Sequence, residues 1–469
     1  MGYYFSYHCE EDEQIEVQMG VSFVSIDNAR ENLNAEQPLF VFDDVHQKAR
    51  DQWDATLSRV TVEGGTEAQR RMFYTALYHT QIHPNIIQDI NGQYPKMESL
   101  DVGTTSGNRY TVFSLWDTYR NVHPLNTLLY PDKQLDMVRS MIAMYREWGW
   151  MPRWELYGRE TWTMEGDPAI PVIADTWLKG LRDFDIATAY EAFCRSATLP
   201  SKDNKMRPDI DTYLEKGHVP IGEYAADMSG DNSVSHALEY YIADAALANL
   251  AEALGKTADS KRFRQQSLGY RHYYSKESGT LRPILQDNTF LTPFNPNDGA
   301  NFSNAPGFHE GSAWNYTFCV PHDVMGLAKL MGGKEAFVQK LQHVFDDHLY
   351  DPANEPDIAY PYLFTYFKGE EWRTPKIVRK LIDRYYNDTP SGLPGNDDCG
   401  TLSAWLVFSM MGFYPDCPGS PYYALTTPIF DKVTLHLDPR YYPDGDIVIT
   451  PKPLKRYRIS HEELKKGKF

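Results

Sequence analysis

The chain has 469 residues, 42% of them apolar and 23% charged, and carries a formal net charge of −18 at pH 7. That length exceeds one ordinary core and predicts a large single architecture or two to three units, with the composition of a folded globular protein. The acidic balance, with no basic stripe, excludes nucleic acid and anionic membrane surfaces as partners.

Aromatic residues reach 14%, with Tyr 32 and Trp 10. Such rings either fill a helical core or stack on sugar faces while their OH and NH groups bind hydroxyls. The five cysteines (Cys9, Cys194, Cys319, Cys399, Cys417) are widely spaced and form no CxxC pair, so neither a zinc ribbon nor a disulfide framework is expected. No run of about 18 apolar residues exists, and no membrane span is expected. Met1 to His8 lack the basic and apolar regions of a signal peptide.

In chain order, residues 1–26 are β-rich and alternate from Ile15 to Ser25, which predicts two strands. Asp27 is a candidate N-cap, and helical patterns over 27–36 and about 42–60 predict a helical linker spanning 27–62. From 63 to 420 the pattern is a procession of helices broken by Gly, Pro and Asn. They are expected at 66–79, 135–148, 172–182, 186–196, 233–254, 260–274, 320–331, 334–345, 375–386 and 402–411. The fold class is therefore mainly α, an α/α toroid of helical hairpins. Residues 421–469 return to strands, with alternation in Lys432 to Leu437 and Asp446 to Thr450.

Two acidic turns carry the chemical signal. Gly395-Asn396-Asp397-Asp398-Cys399-Gly400 places adjacent carboxylates in a sharp polar turn before an apolar run. Either aspartate could simply cap the helix that follows, and either could face a ligand. Phe308-His309-Glu310-Gly311-Ser312-Ala313-Trp314 sets an acid among glycine and aromatics. A carboxyl group beside an indole loses hydration of its charged form and suits proton donation. Glycoside hydrolysis needs two such groups on opposite sides of a sugar ring.

Three further segments fit a sugar pocket. Phe113 to Arg120 contains Trp116 beside Asp117, a ring and an acceptor, although Asp117 could equally cap the next turn. Trp148, Trp150 and Trp154, with Glu155, crowd a Gly/Pro-broken stretch that reads as a pocket wall. Asn354-Glu355-Pro356-Asp357 packs hard oxygen ligands into a turn, chemistry that suits Ca²⁺ but also a solvated loop. Dinucleotide, P-loop, zinc-protease and serine-elbow motifs are absent. Pro321-His322-Asp323 could hold a catalytic pair or a first-turn dipole partner.

Taken together these segments resemble glycoside hydrolase family 92, the calcium-dependent exo-acting α-mannosidases, over about residues 15 to 440. The resemblance rests on six ordered motifs, from Phe73-Tyr74-Thr75-Ala76-Leu77-Tyr78-His79 through Asp117, Val172-Ile173-Ala174-Asp175, Glu310 and Glu355 to Gly395-Gly400 and Ser403-Ala404-Trp405. It implies a six-hairpin toroid over 63–420, with remnants of a β-sandwich at 1–26 and 421–469 in a chain truncated at both ends. It implies inverting hydrolysis of terminal mannose, with α-1,2 linkages as first choice, from N-glycans or mannans. Glu310 looks like the general acid, and Asp398, helped by Asp397, like the base. Glu355 and Asn354 are implied near Ca²⁺; Trp116, Asp117, Trp154 and Glu155 are expected at the mannose. Ser312 stands where members commonly carry Asn. The partner is a mannose-terminated glycan, and the resemblance implies a periplasmic or extracellular enzyme. The competing expectation is a carbohydrate-binding remnant without turnover.

Overall fold

Helices form where caps and apolar spacing put them. Thr66 and Gln69 make a reciprocal capping box that opens the helix Glu67–His79. In Arg373–Tyr385 the buried residues Ile377, Val378, Leu381 and Ile382 recur at one-turn spacing, which leaves the opposite face polar. The computed structural model describes residues 4–223, 231–300, 303 and 305–467, and the protein is mainly helical with several small two- and three-stranded sheets.

Two helices are buried on nearly every side, Ser233–Ala253 and Thr401–Met411. A helix without a solvated face belongs at the centre of a bundle. The first packs against Thr257–Gln266 and Ala169–Leu178, the second against Glu67–His79 and Val122–Leu129. The apolar pattern does not separate Val122–Leu129 as a helix, because all of its residues are buried and no polar face gives it a period.

The strands near the C-terminus fall where alternation predicts them, at Lys432–Leu435 and Ile447–Ile449. They form a three-stranded antiparallel sheet with Val60–Glu63, in register Val60↔Leu435. The expected helix at 42–60 therefore ends at Leu57 and gives way to a strand. A second sheet joins Phe413–Tyr414, Tyr422–Leu425 and Arg458–Ser460.

The strands expected in 1–26 are not formed among the described residues; 1–3 lie outside them, as do 468–469 of the C-terminal segment. Side chains, not a neighbouring strand, serve this backbone: Asn32 Nδ2 donates to the Val21 carbonyl at 2.8 Å. Ser22 Oγ donates to Asp89 Oδ2 at 2.7 Å. Alternation alone makes no strand without a partner to complete its hydrogen-bond ladder. Ile15, Val17, Met19, Val21 and Phe23 all stay exposed.

His123 sits inside this core, its Nδ1 3.0 Å from Gln134 Oε1, and burial pushes its pKa down to about 4. Below the ordinary value the unfolded chain takes a proton that the folded protein refuses. Stability should therefore fall as pH drops from about 6.5 to about 4, by roughly 3 kcal/mol from this residue. Urea midpoints at several pH values should show a shallower acid slope for His123→Asn than for the parent protein. Equal slopes would refute this.

Candidate active site

The turn at 395–400 divides its two aspartates between different tasks. Asp397 Oδ1 accepts the Ser403 backbone N–H at 2.8 Å and Oδ2 accepts the Ser403 hydroxyl at 2.9 Å, so it satisfies a first-turn N–H of the helix Thr401–Met411, whose N-cap position is Gly400. His79 Nδ1 lies 3.5 Å from the same carboxylate. Asp398 is left to face elsewhere. It and Cys399 adopt left-handed backbone at φ 42° and 56°, followed by Gly400 at φ 93°. A Cβ on Gly400 would stand 2.9 Å from Thr80 Cα, so the chain can pass that helix end only as glycine. Left-handed conformations in ordinary residues cost of order 1–3 kcal/mol and survive only where their surroundings over-determine them.

Carboxylate oxygens of Asp117, Glu355 and Asp398 converge, all within 4.8 Å of one another. Asp117 arrives on the short helix Leu115–Thr118, its carboxylate accepting the Ser114 hydroxyl. Glu355 opens the 3-10 turn Glu355–Asp357 and is buried, with Oε1 unpartnered among the described residues. Burial and the Asp398 charge push Asp117 up to about 8, with Glu310 adding to the rise. Burial, Asp117 and Asp398 drive Glu355 well above the carboxylate range. Burial raises Asp398 against a hydrogen bond with Glu355, and Glu310 adds to the rise.

The charge of Arg120 lowers Asp117 and Glu355 without offsetting their burial, and its hydrogen bonds go elsewhere. Arg120 gives Nη2 to Glu239 Oε1 at 2.7 Å and Nε to the Trp116 carbonyl at 3.1 Å. Glu239 Oε2 also accepts the Tyr119 hydroxyl at 2.8 Å. Three hard oxygen donors, one of them orphaned and buried, with the local arginine already committed, suit a divalent cation. Oxygens on opposite sides of a Ca²⁺ stand up to about 5 Å apart, which matches the observed span.

Glu310 is half-buried and left-handed at φ 48°. Asn354 Nδ2 donates to its backbone carbonyl at 2.9 Å. Ser312 makes a capping box with Asn315 that opens the helix Ala313–Thr317 just beyond.

The remaining residues expected from the sequence are distributed differently. Glu155 is fully buried and outside the cluster: its carboxylate accepts the Thr111 hydroxyl at 2.8 Å and the Val112 N–H at 3.0 Å. Burial lifts it to about 7 against these donors and the Gly158 N–H. It holds the left-handed Val112 (φ 63°), the bend that leads into Ser114 and Asp117. Trp116 is 1% exposed with Arg120 over its ring, and offers no open face for a sugar. Trp154 is half-buried on the strand paired with Ser114. Asn354 acts on the Glu310 carbonyl through its amide nitrogen. Asp323, the alternative acid, caps Gly326 N at 3.0 Å and pairs with Arg271 at 2.8 Å.

Comparison with known proteins gives the family. The profile described as the Glycosyl hydrolase family 92 catalytic domain matches residues 28–463. The chain belongs to glycosyl hydrolase family 92. Two solved family 92 enzymes of Bacteroides thetaiotaomicron are similar to it. One is an α-mannosidase, 32% identical with a TM-score of 0.85, matching 95% of this chain and 60% of its own. The other is an inverting mannosidase, also 32% identical with a TM-score of 0.85, matching 95% of this chain and 64% of its own. An uncharacterized secreted glycosidase of Arthroderma benhamiae is 26% identical over 449 residues, 90% of this chain and 53% of that protein. This family 92 chain thus spans between about half and two thirds of the length of these relatives.

Sequence reasoning did not assign Arg120 or Glu239. Glu239 had a signal: it is a charged residue in the otherwise apolar run Ala237-Leu238-Glu239-Tyr240-Tyr241-Ile242, where a buried acid requires a partner.

Proposed function

We propose that this family 92 chain is an inverting exo-α-mannosidase acting on terminal mannose of N-glycans or mannans, with α-1,2 linkages preferred. The observation that carries the reading is the convergence of Asp117, Glu355 and Asp398, with the Glu310 charge felt by both aspartates. Glu310 protonates the departing glycosidic oxygen. Asp398 takes the proton of the water that attacks the opposite face, and Asp397 fixes the turn that presents Asp398. An inverting pair requires carboxyl groups ~6.5–9.5 Å apart, with room for that water.

Asp117, Glu355 and one oxygen of Asp398 would hold Ca²⁺, which would supply charge and a template for the sugar hydroxyls, leaving the other Asp398 oxygen for the water. Arg120, fixed by Glu239, holds the Trp116 carbonyl next to Asp117 and adds positive charge beside it. Trp154 borders the terminal mannose. The helices of residues 63–420 form the six-hairpin toroid, and the sheet of Val60–Glu63, Lys432–Leu435 and Ile447–Ile449 belongs to a β-sandwich. The similar α-mannosidase has also been solved with mannoimidazole, which supports a mannose-shaped site here. The secreted fungal relative supports action outside the cytoplasm.

A panel of α-1,2-, α-1,3- and α-1,6-mannobiosides followed by proton NMR tests this. The first-formed product should be β-mannose. Early α-mannose would reject inversion, and mannoside binding without release would indicate a carbohydrate-binding protein instead.

A further inference from the structure

The left-handed turn at Glu310 is fixed from behind by a buried hydrogen-bonded cluster centred on Glu165. His309 precedes Glu310, its N–H donating to Ser235 Oγ at 2.9 Å and its carbonyl accepting the Tyr316 hydroxyl at 2.5 Å. Its Nδ1 lies 2.6 Å from Glu165 Oε1. The other oxygen of Glu165 lies 2.5 Å from His236 Nδ1, and His236 Nε2 lies 2.5 Å from the Tyr240 hydroxyl, which reaches Asp209 at 2.8 Å. Glu165 is wholly buried; burial alone would raise it, yet the two histidines hold it at about 2.

The same stretch touches the other half of the site. Gly166 has φ 78°, and a Cβ there would sit 2.4 Å from Glu239 Cβ, so only glycine lets this backbone lie against the residue that fixes Arg120. Arg153 Nε donates to the Gly166 carbonyl at 2.8 Å. A buried charge costs several kcal/mol to desolvate, and an apolar packing would stabilise the core as well or better. Its placement between Glu310 and Glu239 gives it another use.

We propose that Glu165 is a positioning residue: through His309 on one side and the Gly166–Glu239 contact on the other, it sets the acid Glu310 relative to the carboxylate cluster. This rests on the assignment of Glu310 as the acid. A misplaced acid harms only departures that need a proton, so leaving-group dependence separates positioning from general loss of structure.

Glu165→Gln and Glu310→Gln should be compared on a mannobioside and on a dinitrophenyl α-mannoside, whose leaving group needs little protonation. Glu165→Gln should lower kcat on the mannobioside about 10–100-fold and on the dinitrophenyl substrate less than about threefold, with KM nearly unchanged. Equal losses on both substrates, or no loss on either, would overturn the proposal. If Glu310→Gln itself shows no leaving-group discrimination, the acid assignment fails and this inference falls with it. Discrimination by Glu310→Gln but not by Glu165→Gln rejects the positioning role alone. Should Glu165→Gln fail to fold, Tyr316→Phe decides: it removes only the hydroxyl on the His309 carbonyl and should show the same discrimination, smaller in size.

Discussion

Replacing Glu310 with Gln should reduce kcat/KM on an unactivated mannobioside by about 10³-fold, within the 10²–10⁴ that a positioned general acid supplies. Gln keeps the size and the left-handed turn held by Asn354 and the His309 contacts, and removes only the proton. The melting temperature should therefore change little. On a substrate whose leaving group departs unaided the loss should be far smaller. A variant that retains full activity on the mannobioside would sink the acid assignment, whatever its behaviour on activated substrates.

Removing Ca²⁺ with a chelator should abolish most activity, by about 10²–10³-fold given the several kcal/mol of charge stabilisation an ion supplies. Readdition of Ca²⁺ should restore it. Glu355→Gln should shift the Ca²⁺ concentration for half-maximal activity upward by at least about tenfold, because one of three carboxylates is lost. Binding should also depend on pH with a definite sign. Without the ion, burial and its acidic neighbours raise Asp117 to about 8, so at pH 7 the carboxylate cluster holds a proton that Ca²⁺ must displace. Affinity should therefore weaken as pH is lowered from 8. Calorimetry at pH 7 in buffers of different ionisation enthalpy should register proton release on binding. Full activity in chelator, with no thermal shift on adding Ca²⁺, would remove calcium from the reading.

Much of the framework is legible before any coordinates. Caps such as Thr66 and periodic faces such as Ile377, Val378, Leu381 and Ile382 are local signals, so most helices fall where the pattern puts them. The alternation at Lys432–Leu435 and Ile447–Ile449 is likewise local. The segment at Ile15 to Phe23 carries the same alternation and forms no strand among the described residues, because a strand is a property of two segments and not of one. Val60–Glu63 shows the reverse: it is short, follows a helix, and becomes a strand only because Lys432–Leu435 lies beside it.

The site divides along the same line. The sequence by itself determined which residue types could do the work: an acid among aromatics at Glu310, paired aspartates in a glycine-bounded turn, and acids at Asp117 and Glu355. It could not apportion Asp397 and Asp398, since both suit a cap and both suit a ligand. In the folded chain Asp397 turns to Ser403, a local contact, and only the tertiary structure brings Asp398 to Asp117 and Glu355. It also withdrew Glu155 behind Val112 and committed Arg120 to Glu239. The reason is physical. Caps and turns are settled within a few residues of chain, whereas a cluster of like charges that joins Asp117 to two acids far along the chain exists only once burial has forced them together.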